Sequence, residues 1–219
     1  MRNSPIAKEG LLFTVPAIIL SLLFLVFHFY LTSLLFFFLF LFFCYFFRNP
    51  NRIDQSAADQ IIAPADGKVM GIEEMDEDEF LKGPAVRVST FMGLGDVHVN
   101  RAPCDSVVTR MVHKSGRYGL AFKHAVDKKN ERHYILLEKK NGEKLLVVQI
   151  VGFLARRIHC WVHEGDAIKK GDRIGIIAFG SRVDLYLPPG YEIMVKLGDK
   201  VKAGITPIAR TVRTLRESA

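Results

Sequence analysis

From Leu11 to Phe47 the chain is almost wholly apolar, broken by Pro16, Ser21, His28, Thr32 and Ser33 and carrying no charged side chain. A run that is apolar on every side has no solvent face and belongs in hydrocarbon. A secretory signal has an apolar core of about 7–15 residues and a small-residue cleavage site, so this longer run is expected to stay attached. One crossing takes about 20 residues, which makes the segment long enough for two helices with a turn at His28–Ser33. A helical hairpin over residues 1–50 is therefore expected as a membrane anchor. Arg2 and Lys8 precede it and Arg48 and Arg52 follow. That charge placement puts both ends on the cytoplasmic side, with the remaining chain on the cytoplasmic face of a cell inner membrane. The second arm, Leu34–Phe47, is short, so a full crossing and a dip into one leaflet both stay open.

Past Arg48-Asn-Pro-Asn-Arg52 the pattern shifts to period two. Ile61–Met70 reads as strand, turn, strand, and further strands are expected around Ala85–Thr90, Val97–Arg101, Ser106–His113, Arg132–Glu138, Lys144–Ile150 and Ile158–His163. Asn141-Gly142 is a hairpin turn. Helix is scarce, and residues 51–219 suit one domain. The acidic run Glu73–Glu79 is expected to be a solvated loop rather than a metal site. Gly165-Asp-Ala-Ile-Lys-Lys-Gly171 and Gly198-Asp-Lys-Val-Lys-Ala-Gly204 form an internal repeat. Both resemble the turns of biotinyl/lipoyl-type barrels, whose glycines take positive φ. The fold class expected is mainly β: a flattened antiparallel barrel-sandwich of two such halves, with Ser181 between them. Neither Lys68 nor Lys169 stands in a biotinylation or lipoylation context.

A net charge of +7 over 219 residues raises nucleic acid as a partner. No basic helix, zinc spacing or aromatic platform accompanies it, so no nucleic-acid partner is expected and anionic lipid fits better. Three cysteines without a Cys-x-x-Cys give no disulfide framework or metal site.

Candidate chemistry centres on Ile176–Pro188, where Gly180-Ser181 interrupts two alternating apolar runs. Glycine frees the backbone there for close approach and for conformations other residues resist. A serine hydroxyl set against the preceding carbonyl can attack it, given a base and oxyanion donors. Elimination of the resulting ester splits the chain and leaves a dehydroalanine that hydrolyses to a pyruvoyl group, a ketone able to form a Schiff base with an amine. In Asp96-Val-His-Val-Asn-Arg101, alternation puts Asp96, His98 and Asn100 on one strand face, and histidine moves protons readily near neutral pH. Asp66 stands in Pro64-Ala-Asp-Gly67, a pattern that also makes a plain turn. His113, His124, His133, His159 and His163 are expected to be structural or exposed, and Trp161 and Tyr191 core or rim.

The string Phe179-Gly-Ser-Arg-Val-Asp-Leu-Tyr-Leu-Pro188 resembles the processing site of short-type phosphatidylserine decarboxylase proenzymes. Phe47-Arg-Asn-Pro50, Ala63-Pro-Ala-Asp-Gly67, Asp96–Arg101, Asn130-Glu-Arg132 and Gly152–Arg157 match the family in the same order. The resemblance spans roughly residues 45–213. It implies self-cleavage into chains 1–180 and 181–219, a pyruvoyl cofactor made from Ser181, and decarboxylation of membrane phosphatidylserine to phosphatidylethanolamine. It makes His98 the group that returns a proton in turnover and Asp66 its orienting residue or the processing base. Arg132, Arg156 and Arg157 become head-group phosphate ligands. The long-type members carry a second histidine where this chain has Arg101, so either His98 serves both steps or another group, such as Asp66, starts processing. A homo-oligomer, an ether-lipid (archaetidylserine) substrate and a non-catalytic, membrane-tethered adaptor of the biotinyl/lipoyl type stay open.

Overall fold

A computed structural model describes residues 4–116, 130–152, 157–178 and 180–212. Arg156, His124 and Phe179 lie outside the described residues. The chain divides into two compact units, Met1–Asn51 and Arg52–Ala219.

In the first unit, α1 (Leu11–Val26) and α2 (Tyr30–Phe46) form a hairpin. The break is shorter than the polar residues indicated, because Tyr30 already opens α2 and only residues 27–29 turn, with His28 at φ +60°. Apolar packing joins the arms, Phe13 to Phe43 at 5.3 Å and Phe24 to Phe36 at 5.6 Å between ring centres. Two serines satisfy each other's turn in these apolar surroundings: Ser21 Oγ donates to the Ser33 carbonyl (3.0 Å) and Ser33 Oγ to the Ser21 carbonyl (2.8 Å). The outward positions, among them Leu12, Val26 and Leu31, are exposed. An Ile6–Arg48 bridge sets the two ends of the hairpin side by side. Among the described residues, Lys8–Val26 is the one helix long and apolar enough to cross a membrane by length and composition.

The second unit is mainly β. Its large sheet uses β2 (Gly67–Glu77), β3 (Gly83–Met92), β5 (Ser106–Lys114), β6 (Arg132–Glu138), β7 (Lys144–Ile150), β9 (Ala167–Ile168), β11 (Ser181–Leu187) and β13 (Lys200–Val201). They are ordered β13-β2-β3-β11-β7-β6-β5-β9, antiparallel throughout, and curl into a half-barrel. Two three-stranded sheets complete the unit. One joins β1 (Gln60–Ile62), β14 (Pro207–Thr211) and β12 (Tyr191–Ile193), and the other joins β4 (Val99–Arg101), β10 (Arg173–Ile177) and β8 (Ile158–Cys160). The main core lies on one face of β11, where Val183, Leu185 and Leu187 meet Ile61, Ile208 and Ala209 of one small sheet and Ile174 and Ile177 of the other. On the opposite face Leu136, Leu146, Val148 and Ile150 form a second cluster under Phe80, which stacks on Tyr134 at 4.8 Å.

The acidic run is not a loop. Residues 73–77 continue β2, where Glu73 pairs with Arg87 across the hairpin (2.8 Å) and the Glu77 carboxylate accepts the Phe80 and Leu81 amides. Cross-strand pairing and turn capping hold acids in a strand that composition alone assigns to solvent. The strands predicted around Val97–Arg101 and Ile158–His163 are shorter, and β1 and β2 enter different sheets.

The internal repeat is structural. Gly165, Gly171, Gly198 and Gly204 all take positive φ (+90, +86, +94 and +74°). Gly165 N donates to Val108 O as Gly198 N donates to Val69 O, and Gly171 N to Ala102 O as Gly204 N to Ala63 O. Ala63-Pro-Ala-Asp66 and Ala102-Pro-Cys-Asp105 are thus counterparts, and they exchange bonds: Ile62 N to Pro103 O at 3.0 Å, Arg101 N to Pro64 O at 2.8 Å. The half-barrel architecture stands without reference to biotinyl/lipoyl domains.

Candidate active site

Strand β11 starts at Ser181, directly after Gly180 at φ +65°. That left-handed backbone costs an L-residue roughly 1–2 kcal/mol, which accounts for glycine there, since an added Cβ at this position meets nothing within 4 Å. Alternation along β11 turns Ser181 to the core face with Val183 and Leu185. The serine is fully buried and its Oγ has no hydrogen-bond partner among the described residues. A buried hydroxyl without a partner carries a desolvation cost and is a feature to be explained rather than ignored.

The residues around it come from the large sheet and from the small sheet of β4, β10 and β8. Ser181 is the cross-strand partner of Met92, whose Sδ accepts from Asn100 Nδ2 (3.5 Å). Asn100 Oδ1 in turn accepts from Gln149 Nε2 at 2.7 Å, both residues being fully buried. An added Cβ on Gly175 of β10 would lie 2.5 Å from the His159 carbonyl and 3.1 Å from Gln149 Nε2, so glycine is what lets this sheet close over the polar pair. His98 is also fully buried; its Nδ1 lies 3.0 Å from the Asp96 carbonyl, and its own carbonyl receives Ile177 N–H. The structure therefore sets Asn100, two residues after His98, against Met92 and Gln149, which flank β11 on its Ser181 side.

Asp66 is engaged elsewhere. Its carboxylate forms a two-pronged ion pair with Arg52, the second contact at 2.8 Å, and accepts the Ala203 amide at 2.8 Å. Its repeat counterpart Asp105 accepts the Lys170 amide at 2.7 Å, which is the same structural duty. Arg101, at the position of the long-type second histidine, donates Nη1 to the Gly171 carbonyl (2.8 Å), and burial among Arg173 and Arg52 lowers its pKa to about 10. Arg132 lies on the opposite face from Ser181 Oγ, in the transverse row Arg132–Ile150–Arg182. It donates to the Asn130 carbonyl (3.1 Å) and leaves Nη2 buried without a partner among the described residues. Arg157 is exposed.

Sequence reasoning gave three features no role in the site. Arg182 and Asp184, one and three residues beyond the serine, form a buried ion pair of 2.7 Å on the outer face. Gln149 stands alone as a polar residue in the apolar run Leu145–Ile150, and that solitary position was the available signal. His133 faces the core beside Gln149 with Nε2 buried and unpartnered, and burial together with neighbouring His113 lowers its pKa.

Fold and site together define an antiparallel β protein with an apolar α-hairpin, whose reactive candidate is a buried serine behind a left-handed glycine. Residues 39–209 match the family model described as phosphatidylserine decarboxylase. The chain belongs to that family. Proteins named phosphatidylserine decarboxylase proenzyme are similar to it: one from Carboxydothermus hydrogenoformans is 44% identical over 204 residues, 93% of this chain and 95% of its own length. One from Syntrophus aciditrophicus is 44% identical over 168 residues (77% and 79%), and one from Desulfotalea psychrophila 38% identical over 208 residues (95% and 97%).

Proposed function

We propose that this chain cleaves itself between Gly180 and Ser181 and then decarboxylates phosphatidylserine to phosphatidylethanolamine. The observation that carries this reading is the Ser181 hydroxyl, buried and unpartnered behind the left-handed Gly180. The relatives' name supplies the substrate and the proenzyme character. In processing, Ser181 Oγ adds to the Gly180 carbonyl carbon, the Gly180–Ser181 C–N bond breaks, and an ester remains. Loss of the Ser181 α-proton expels the Gly180 carboxylate, and water then replaces nitrogen at the new terminus with release of ammonia. The pyruvoyl group so formed supplies a ketone that condenses with the substrate amine and accepts electrons as carbon dioxide leaves.

His98 is the candidate for taking the Ser181 proton and for protonating the product carbon, because Asp66 is already held by Arg52 and the Ala203 amide. Asp66 is better read as holding the 203 loop than as the processing base. Arg132, with Nη2 unpartnered, Arg156 and Arg157 remain candidates for the head-group phosphate. Residues 1–50 act as an anchor in the inner membrane and residues 51–219 as the decarboxylase domain on its cytoplasmic face. Packing of the two small sheets against the half-barrel makes the barrel-sandwich, and after cleavage chains 1–180 and 181–219 stay together through β11. A purely structural adaptor has no use for a buried, unsatisfied hydroxyl next to a left-handed glycine. Ser181→Ala is expected to give a folded, uncleaved, inactive chain, and borohydride with substrate should label only chain 181–219 of the parent. An active Ser181→Ala protein would sink the reading. Parallel assays on diacyl and ether-linked serine lipids distinguish the two substrates.

A further inference from the structure

The two halves of the repeat differ in one place that the chemistry of the site does not use. Leu197 and Glu164 are counterparts, each immediately before the Gly-Asp of its turn, in which Lys196 N and His163 N bond the Asp199 and Asp166 carboxylates. Glu164 is tied down: its Oε1 accepts the Met111 amide on the edge of β5 at 2.6 Å. Leu197 is 69% exposed. Lys196 replaces His163, Lys200 replaces Ala167, and Lys202 matches Lys169. The Thr206 and Asp172 carbonyls are matched by their bonds to Ala63 N and Ala102 N, which leaves Ile205, also exposed, as an inserted residue with no counterpart. One copy has thus exchanged an acid for an exposed leucine and gained two lysines and an exposed isoleucine.

The neighbourhood adds charge. Lys68 pairs with Lys200 across β2 and β13, and none of Lys68, Lys196, Lys200 or Lys202 makes an ion pair among the described residues. An apolar tip ringed by uncompensated lysines is complementary to an anionic bilayer surface, where the leucine reaches the acyl boundary and the ammonium groups meet phosphates. The row Lys200–Lys68–Phe91–Arg182 runs straight to the residue after Ser181. At about 4.8 Å per strand, the loop sits roughly 14 Å from the start of β11.

We propose that residues 194–205 form a lipid-contact surface, separate from the α-hairpin, that seats this end of the half-barrel on anionic membrane. Its test does not depend on the decarboxylase reading, because the readout is depth and not turnover. The full chain is reconstituted into phosphatidylcholine vesicles with or without phosphatidylglycerol, using acyl chains brominated to quench tryptophan. Leu197→Trp is expected to show quenching above the Trp161 background of the parent in anionic vesicles. The increment should fall severalfold in high salt, which screens the lysines, and in a Lys196→Glu, Lys200→Glu, Lys202→Glu variant. Glu164→Trp, at the counterpart position, should show none. Absence of quenching at 197, equal quenching at 164, or insensitivity to both salt and anionic lipid overturns the proposal; the salt arm needs no further substitution and survives a charge variant that fails to fold.

Discussion

Removing one member of the Arg182–Asp184 pair is the most quantitative perturbation the structure offers. Both side chains are almost wholly buried, at 2% and 1% exposure, and Asp184 Oδ2 accepts from Arg182 Nη2 at 2.7 Å. Asp184 Oδ1 has no partner among the described residues, so Arg182→Met strips the carboxylate of its hydrogen bond and leaves a charge in an apolar layer beside Val148 and Ile150. Breaking a buried pair from one side costs about 3–5 kcal/mol, whereas replacing both members with apolar groups of similar volume is often neutral. Asp184→Leu should therefore also be costly and the double variant close to the parent, a coupling well above the additivity of independent sites. For a domain of this size each kcal/mol moves Tm by about 2–4 °C, so each single variant should melt roughly 6–20 °C lower. The assay is thermal unfolding in a Ser181→Ala background, which keeps one covalent chain throughout. Single variants within about 1 kcal/mol of the parent, or strictly additive effects, would refute the idea that the pair is a mutually dependent buried unit.

Two further outcomes are expected. His98→Ala should slow both chain cleavage, followed by gel during cell-free synthesis, and turnover of the cleaved enzyme, each by about 10²–10⁴-fold; normal cleavage with dead turnover would confine His98 to decarboxylation. Burial and neighbouring His113 lower the His133 pKa. Its contribution to stability is therefore present above the ordinary histidine range and lost as pH falls through the lowered folded value. His133→Gln should flatten the fall of the urea midpoint between neutral and mildly acid pH, and an unchanged slope would remove His133 from the acid response.

Local periodicity made most strands and the hairpin legible, because alternation and unbroken apolar runs are near-neighbour properties of the chain. Glycine followed by serine between two apolar runs marked the break before β11 for the same reason. What escaped depends on partners far along the chain. Glu73 reads as solvated until Arg87 is placed opposite it. Nothing in the sequence marks Arg182 and Asp184 as buried, because one-face burial is the default for an antiparallel strand, whereas β11 is covered on both faces. Asp66 fits an orienting carboxylate equally well on paper; only the fold shows Arg52 and the Ala203 amide already occupying it. The Ala-Pro-x-Asp pair at residues 63–66 and 102–105 was a readable sign of the repeat.

The most direct measurement is the intact mass and amino-terminal chemistry of the purified protein. Self-processing predicts two chains, residues 1–180 and 181–219, with the smaller one resistant to Edman degradation and lighter by one ammonia than a serine-initiated peptide. It also predicts a single uncut chain for Ser181→Ala. An intact parent chain of 24.8 kDa in active protein, or a small chain that begins with an unmodified serine, would contradict it.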